Sequence, residues 1–318
     1  MQKDVVSVTD HIKSFSVEND ILGEYFQSYL DENTTIILVW HEIINESFLK
    51  KYPSIRAIIR YGVGFDNIDL DFCKSKNIIV ANTPDYGVDE VSDTAIAMIL
   101  ALTRKINSLQ HLAKIDDGYW LGKELNLNIK RINTLSLGII GLGRIGSSLA
   151  RKFSAFSKNI SFYDPYLPSG YEKILRLERC ENLSNLLKKS DIVSINTSLN
   201  KETENMVDAH FLSLMKKGSY LINLSRGKIV KNQQLILEKL ISNDIEGYAT
   251  DVWTEEPPLG SDNMYQQWRN NELKLSGRLI ITPHTSYYSS ESLNESRTKA
   301  CKTCLDIINN RTIRNRII

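Results

Sequence analysis

Along the first third of the chain, short runs of β-branched and aliphatic residues punctuate more polar sequence. They are "VVSV" (5–8), "TIILVW" (35–40), "IRAIIR" (55–60) and "IIVANT" (78–83). Each has the length and composition of a buried strand. A different period follows. From residue 89 to 115 the apolar positions Val91, Ala95, Met98, Ile99 and Leu102 recur at helical spacing, and neither Pro nor Gly interrupts them. This predicts one long amphipathic helix. Strand-like runs then resume at 135–141, 160–164, 191–198, 219–225, 247–253 and 279–285, and "SSESLNESRTKACKTCLDIINN" reads as a closing helix. Strands alternating with helical segments predict an α/β fold with mostly parallel sheets. Two sets of strands, with a helix beyond the second, predict two domains, the first completed by the closing helix.

Length and composition agree with that picture. The chain has 318 residues, 42% hydrophobic and 24% charged, enough for two soluble domains. Its 39 basic and 38 acidic residues leave a net charge of +1, so no broad field points to nucleic acid. The N-terminal stretch has no signal-peptide pattern and no apolar run is long enough for a membrane span, so a cytoplasmic protein is expected. Four cysteines make no disulfide framework. Cys301 and Cys304 form a lone C-x-x-C inside the closing helix, which reads as packing, and no metal site is expected.

"LSLGIIGLGRIGSSLARKF" carries Gly141-x-Gly143-x-x-Gly146 between an apolar strand and an amphipathic helix. In that context the pattern is a dinucleotide-binding loop. Gly141 permits the turn, Gly143 lets backbone approach a pyrophosphate, and Gly146 allows close helix–strand packing. The helix N-terminus offers unpaired N–H groups to the phosphates. Asp164 closes the next strand, 18 positions after Gly146. Its carboxylate suits the ribose hydroxyls and would repel a 2′-phosphate, which favours NAD (NADH). A turn-forming role before Pro165 is the plainer alternative.

Ligands of open α/β sheets sit beyond the carboxyl ends of the strands. There the chain places Arg226 after "SYLINLS", Glu255 and Glu256 after "GYATDVW", and His284 after "LIITP". A 2-keto acid needs its carboxylate held, which suits Arg226. The carbonyl oxygen needs a proton as hydride arrives, which suits His284, with a neighbouring carboxylate, Glu256, to fix the ring. Taken singly, Arg226 could instead serve a helix cap, Glu255 and Glu256 could be loop charges, and His284 a structural histidine.

In order and spacing, "RYGVGFDNIDL", "TPDYGVDEVSDTAIAMILALTR", "GIIGLGRIG", "LINLSRG", "DVWTEEPP" and "TPHTSYYSSES" resemble the D-isomer-specific 2-hydroxyacid dehydrogenases. The nearest look is of the branch of C-terminal-binding-protein-like and D-3-phosphoglycerate-dehydrogenase-like proteins. The resemblance implies two Rossmann-like domains. One is a discontinuous flavodoxin-like substrate domain over 1–104 and 288–318, the other a doubly wound NAD-binding domain over 105–287. It implies catalytic roles for Arg226, Glu256 and His284, and selects Glu256 as the glutamate preceding the proline. It implies cofactor contacts by Gly141, Gly143, Arg144, Ile145, Gly146, Asp164, Thr197, Ser198, Leu224, Ser225 and Asp251. Substrate contacts are implied for the "GVG" loop, with Val63 and Gly64, and for nearby Arg60. The expected ligand is a small 2-keto or 2-hydroxy acid, and a homodimer is expected by resemblance alone.

Some positions depart from the family pattern. Ser198 stands for a usual proline, Asn200 for a common threonine, and Thr134 for a frequent glycine. Tyr287 stands where the corepressor branch carries tryptophan, and is a candidate specificity residue or a packing residue. Two other readings stay open: an NAD(H)-sensing corepressor-like protein with little turnover, and an oxidation of a phosphorylated hydroxy acid using arginines near 56–60.

Overall fold

The computed structural model describes residues 3–10, 12–124, 127, 129–270, 272 and 275–318. They divide into two compact units, one made of 1–87 and 288–318, the other of 88–287.

The first unit is built on a parallel sheet of five strands among the described residues. These are β1 (Val6–Val8), β2 (Phe26–Gln27), β3 (Ile36–Val39), β4 (Ala57–Arg60) and β5 (Ile79–Asn82), in the order β2-β1-β3-β4-β5. The apolar run "IILV" is continuous because both faces of the sheet are covered. Ile36 and Leu38 join a cluster with Ala300, Cys301, Cys304 and Ile307 of the closing helix Ser290–Ile308. Ile37 and Val39 join one with Leu49, Ile58, Cys73 and Val80 on the other side. Cys301 and Cys304 are therefore core residues, and burial pushes the Cys301 thiol up to about 12. Beyond the helix, the chain's end pairs with β5, Ile317 donating to the Val80 carbonyl.

The second unit carries a parallel sheet of seven strands among the described residues. They are β6 (Leu137–Ile140), β7 (Ile160–Tyr163), β8 (Glu178–Arg179), β9 (Ile192–Ile195), β10 (Ser219–Asn223), β11 (Ile245–Thr250) and β12 (Leu279–Ile281). The order is β12-β11-β10-β9-β6-β7-β8. The chain runs outward from β6 to β8, crosses back, and runs outward again from β9 to β12. Adjacent β6 and β9 thus form a topological switch point, where open α/β sheets hold their ligands.

Two expectations need correction. The first break falls after Gly87, not after residue 104. Val91, Ala95, Met98, Ile99 and Leu102 of the helix Val88–Thr103 pack in one cluster with Leu137, Ile139 and Leu149, so that helix belongs to the second unit. Nor is the helix continuous to 115. It stops at Thr103 and a second helix, Ile106–Ile115, starts after Lys105, whose backbone is left-handed at φ 53°. Lys105 is buried and its Nζ pairs with Glu246 of β11, a distant contact that outweighs helical periodicity. Among the described residues, no helix is long and apolar enough to cross a membrane.

Candidate active site

The second unit's switch point is occupied by the glycine loop. Gly141, directly after β6, takes φ 86°, and a Cβ there would crowd the Asn196 carbonyl and Thr197 beyond β9 at 3.0 Å. At Gly146 a Cβ would lie 2.2 Å from the Gly141 carbonyl oxygen, so only glycine lets the helix Arg144–Phe153 close on the loop. Gly143 precedes that helix without capping it, and a Cβ there would meet nothing within 4 Å. An uncapped helix N-terminus beside an open glycine is the cradle a diphosphate requires. Arg144 is exposed in the first helical turn, and half-buried Ile145 packs on the core beneath.

Asp164 follows β7. Its Oδ2 accepts from Leu142 N–H of the glycine loop at 2.9 Å, while Oδ1 accepts from Tyr166 and Leu167 N–H. It therefore makes the local turn and also ties the loop to the neighbouring strand. A carboxylate has about four acceptor sites, so ribose hydroxyls remain compatible with these bonds. Arg179 is engaged with Glu172 and the Asp164 and Pro168 carbonyls.

The loop after β12 is organised by Asp251, which follows β11 and is 1% exposed. Its Oδ1 accepts from Thr282 Oγ1 at 2.5 Å and Thr285 N–H at 2.9 Å, and its Oδ2 from Ser286 N–H at 2.8 Å. Its own carbonyl accepts from His284 N–H at 2.7 Å. These bonds hold His284 at φ 54°, a left-handed backbone that costs a non-glycine residue about 1–2 kcal/mol. Strain of this kind is retained where surrounding contacts over-determine it, often at a working site.

His284 Nδ1 lies 2.6 Å from Glu256 Oε2, and Glu256 Oε1 accepts from Trp253 N–H at 2.8 Å. Nε2 is left as the nitrogen available for proton exchange. Burial pushes the Glu256 carboxyl up, but the bonds from His284 and Trp253 and the charges of His284 and Arg226 hold it below its usual value. Gly227, next to Arg226, lets the loops beyond β10 and β11 meet: a Cβ there would fall 1.9 Å from the Trp253 carbonyl carbon. Asn223, buried at the end of β10, accepts from Ser225 N–H and donates to the Arg226 carbonyl. Arginine, glutamate and histidine thus stand at successive strand ends, with side chains open to solvent.

The other expected residues divide. Ser225 Oγ donates to the Thr197 carbonyl, Ser198 is exposed, and Leu224 is buried in the core. Tyr287 packs against that core and meets the His284 ring edge-on, centroids 6.4 Å apart. Arg60, Val63 and Gly64 belong to the first unit. There the Arg60 guanidinium donates to the Tyr61 carbonyl, and Asn82 Nδ2 holds the Val63 carbonyl at 2.7 Å. Arg56 is paired with Asp4 through two bonds of 2.9 and 2.8 Å. Trp253, Asn223 and Gly227 were not singled out from sequence. Only Asn223 left a trace there, as a polar residue inside an apolar strand. Among the described residues, no group of His, Cys, Asp and Glu could hold a metal ion.

Residues 96–286, more than half of the chain, match the model of the D-isomer specific 2-hydroxyacid dehydrogenase NAD-binding domain. A protein of Staphylococcus saprophyticus carrying the name 2-hydroxyacid dehydrogenase is 33% identical over 251 residues, covering 78% of this chain and 74% of that one. D-3-phosphoglycerate dehydrogenase of Methanocaldococcus jannaschii is 27% identical over 94% of this chain, which spans 54% of that protein's length. The D-lactate dehydrogenase of Aquifex aeolicus, solved with NAD and lactic acid, superposes with a TM-score of 0.81 at 29% identity, covering 96% of each chain. The chain belongs to the D-isomer-specific 2-hydroxyacid dehydrogenase family and is an NAD-dependent oxidoreductase.

Proposed function

We propose that the protein interconverts a small 2-keto acid and the D-2-hydroxy acid, with His284 as acid/base, Glu256 as its partner and Arg226 as the substrate-binding cation. The observation that carries this is the 2.6 Å His284–Glu256 bond, with the Arg226 charge acting on the same carboxylate. When bound, the dinucleotide supplies the hydride that reduces the carbonyl carbon. Gly141, Gly143 and Gly146 with the helix N-terminus hold its phosphates, and Asp164 takes its adenosine ribose. Thr197, Ser198, Leu224 and Ser225 are proposed to line the site further along, and Asp251 acts by shaping the loop that carries His284.

The carbonyl oxygen gains negative charge as hydride arrives. His284 Nε2 delivers a proton to it, while Glu256, held by Trp253 N–H, fixes the ring through Nδ1. In the reverse direction the same nitrogen accepts the hydroxyl proton. Arg226 offers paired N–H donors to the substrate's carboxylate and carbonyl oxygens. In the first unit, the Val63 and Gly64 amides, with Arg60, are proposed to bind the carboxylate, and Tyr287 to limit the side chain accepted. Engagement of Arg56 by Asp4 removes one cation from a phosphate-binding reading. A homodimer is proposed on family grounds, and light scattering tests it.

The experiment is NADH oxidation with glyoxylate, hydroxypyruvate, pyruvate and branched or aromatic keto acids. Turnover of at least one supports the proposal. Tight NADH binding without turnover of any would replace it with a cofactor-sensing role.

A further inference from the structure

We propose that the closing helix sets the substrate affinity of the 61–64 loop, with Ser296, Thr83, Arg297, Glu18 and Tyr61 as positioning residues. This rests on the reading above that the Val63 and Gly64 amides bind a carboxylate. All of these groups lie within the first unit. The loop leaves the carboxyl end of β4 and abuts the segment leaving β5, the edge at which parallel sheets bind ligands. Neither the Val63 nor the Gly64 amide donates to an acceptor among the described residues.

Two chains of polar contacts converge on this loop. In one, Ser296 Oγ lies 3.2 Å from Thr83 Oγ1, which accepts from Gly62 N–H at 2.7 Å. The Gly62 carbonyl in turn accepts from Thr83 N–H. In the other, Arg297 donates through Nε and Nη2 to Glu18, and Tyr61 donates its hydroxyl to Glu18 Oε1 at 2.7 Å. Glu18 and Thr83 are 0% exposed, Tyr61 2% and Ser296 3%. A buried ion pair stabilises poorly compared with apolar packing of the same volume, because both charges lose their water. What it supplies is a fixed geometry, and here the fixed element is the backbone on either side of two free amides. Lys299 adds a third tie, pairing with Asp85 beyond β5 at 2.8 Å.

The test compares steady-state kinetics of the full chain with its best keto acid. Tyr61→Phe and Ser296→Ala each delete one hydroxyl and keep the packing. The expected result is a KM for the keto acid raised about 5- to 10-fold in each, the effect of one lost hydrogen bond. kcat should stay within about twofold, with NADH affinity unchanged. Arg297→Lys, which keeps the charge, should raise KM less than Arg297→Leu. Val63→Pro deletes a ligand amide directly. If Val63→Pro raises KM while Tyr61→Phe and Ser296→Ala do not, the positioning role is overturned and the loop's role stands. If Val63→Pro leaves KM unchanged, the loop does not bind substrate and both readings fall. A parallel loss of kcat, keto-acid KM and NADH affinity would mean general loosening and would also overturn the proposal.

Discussion

Asp251→Asn separates two roles for one residue. The family resemblance makes Asp251 a cofactor contact, whereas its carboxylate is spent on the loop that carries His284. Asparagine keeps one carbonyl oxygen, which can still serve Thr282 Oγ1 and Thr285 N–H. Its amide nitrogen then faces Ser286 N–H, donor against donor. One bond to a charged acceptor is lost in a site 1% exposed, a cost of about 1.5–3 kcal/mol. For a unit of this size that lowers the melting temperature by about 4–10 °C. The left-handed backbone at His284 costs about 1–2 kcal/mol more, borne now by three bonds instead of four. The loop is expected to relax and take the imidazole with it. Turnover should fall about 10-fold or more, while NADH affinity, measured by fluorescence titration, stays within about threefold. Unchanged turnover with NADH affinity reduced about 10-fold would refute this reasoning and restore the cofactor role.

Gly146→Ala sets a Cβ 2.2 Å from the Gly141 carbonyl oxygen, where about 1 Å of movement is needed. Overpacking of this kind costs about 1–3 kcal/mol, so NADH affinity should fall about 10- to 100-fold, as read by titration. Asp164→Ala should narrow the preference for NADH over NADPH in kcat/KM about 10-fold. It should also weaken NADH binding by freeing Leu142 N–H, and an unchanged preference would remove Asp164 from cofactor selection. In Glu18, burial raises the carboxyl but bonds from Arg297 and Tyr61 win, holding it below its usual 4.5. Its contribution to stability is therefore present above pH 4.5 and lost as pH falls through the lower folded value. Glu18→Gln should weaken the fold at pH 7 and flatten the acid limb of urea unfolding, and an unaltered acid limb would contradict this.

Much of the site was legible because the sheets are covered on both faces. Their strands read as unbroken apolar runs, so a polar residue just past a run stands out, as His284 and Arg226 do. The glycine loop was legible for a similar reason, since Gly141 and Gly146 sit where any side chain collides with backbone. The edge strands β2 and β8 left no pattern, because two residues cannot show a period. The break at Lys105 depends on Glu246, and the conformation of His284 on Asp251, partners far away in sequence that periodicity does not register. The extent of the first unit was misplaced for a related reason. The helix Val88–Thr103 has the same apolar stripe whichever sheet it covers.

The central claim is that His284, held by Glu256, delivers the proton that accompanies hydride transfer. The most direct measurement is single-turnover oxidation of prebound NADH by the best keto acid in the wild-type protein and in His284→Ala. The expected result is a rate about 10²-fold lower or more, with NADH affinity unchanged. Equal rates in the two proteins would contradict the claim.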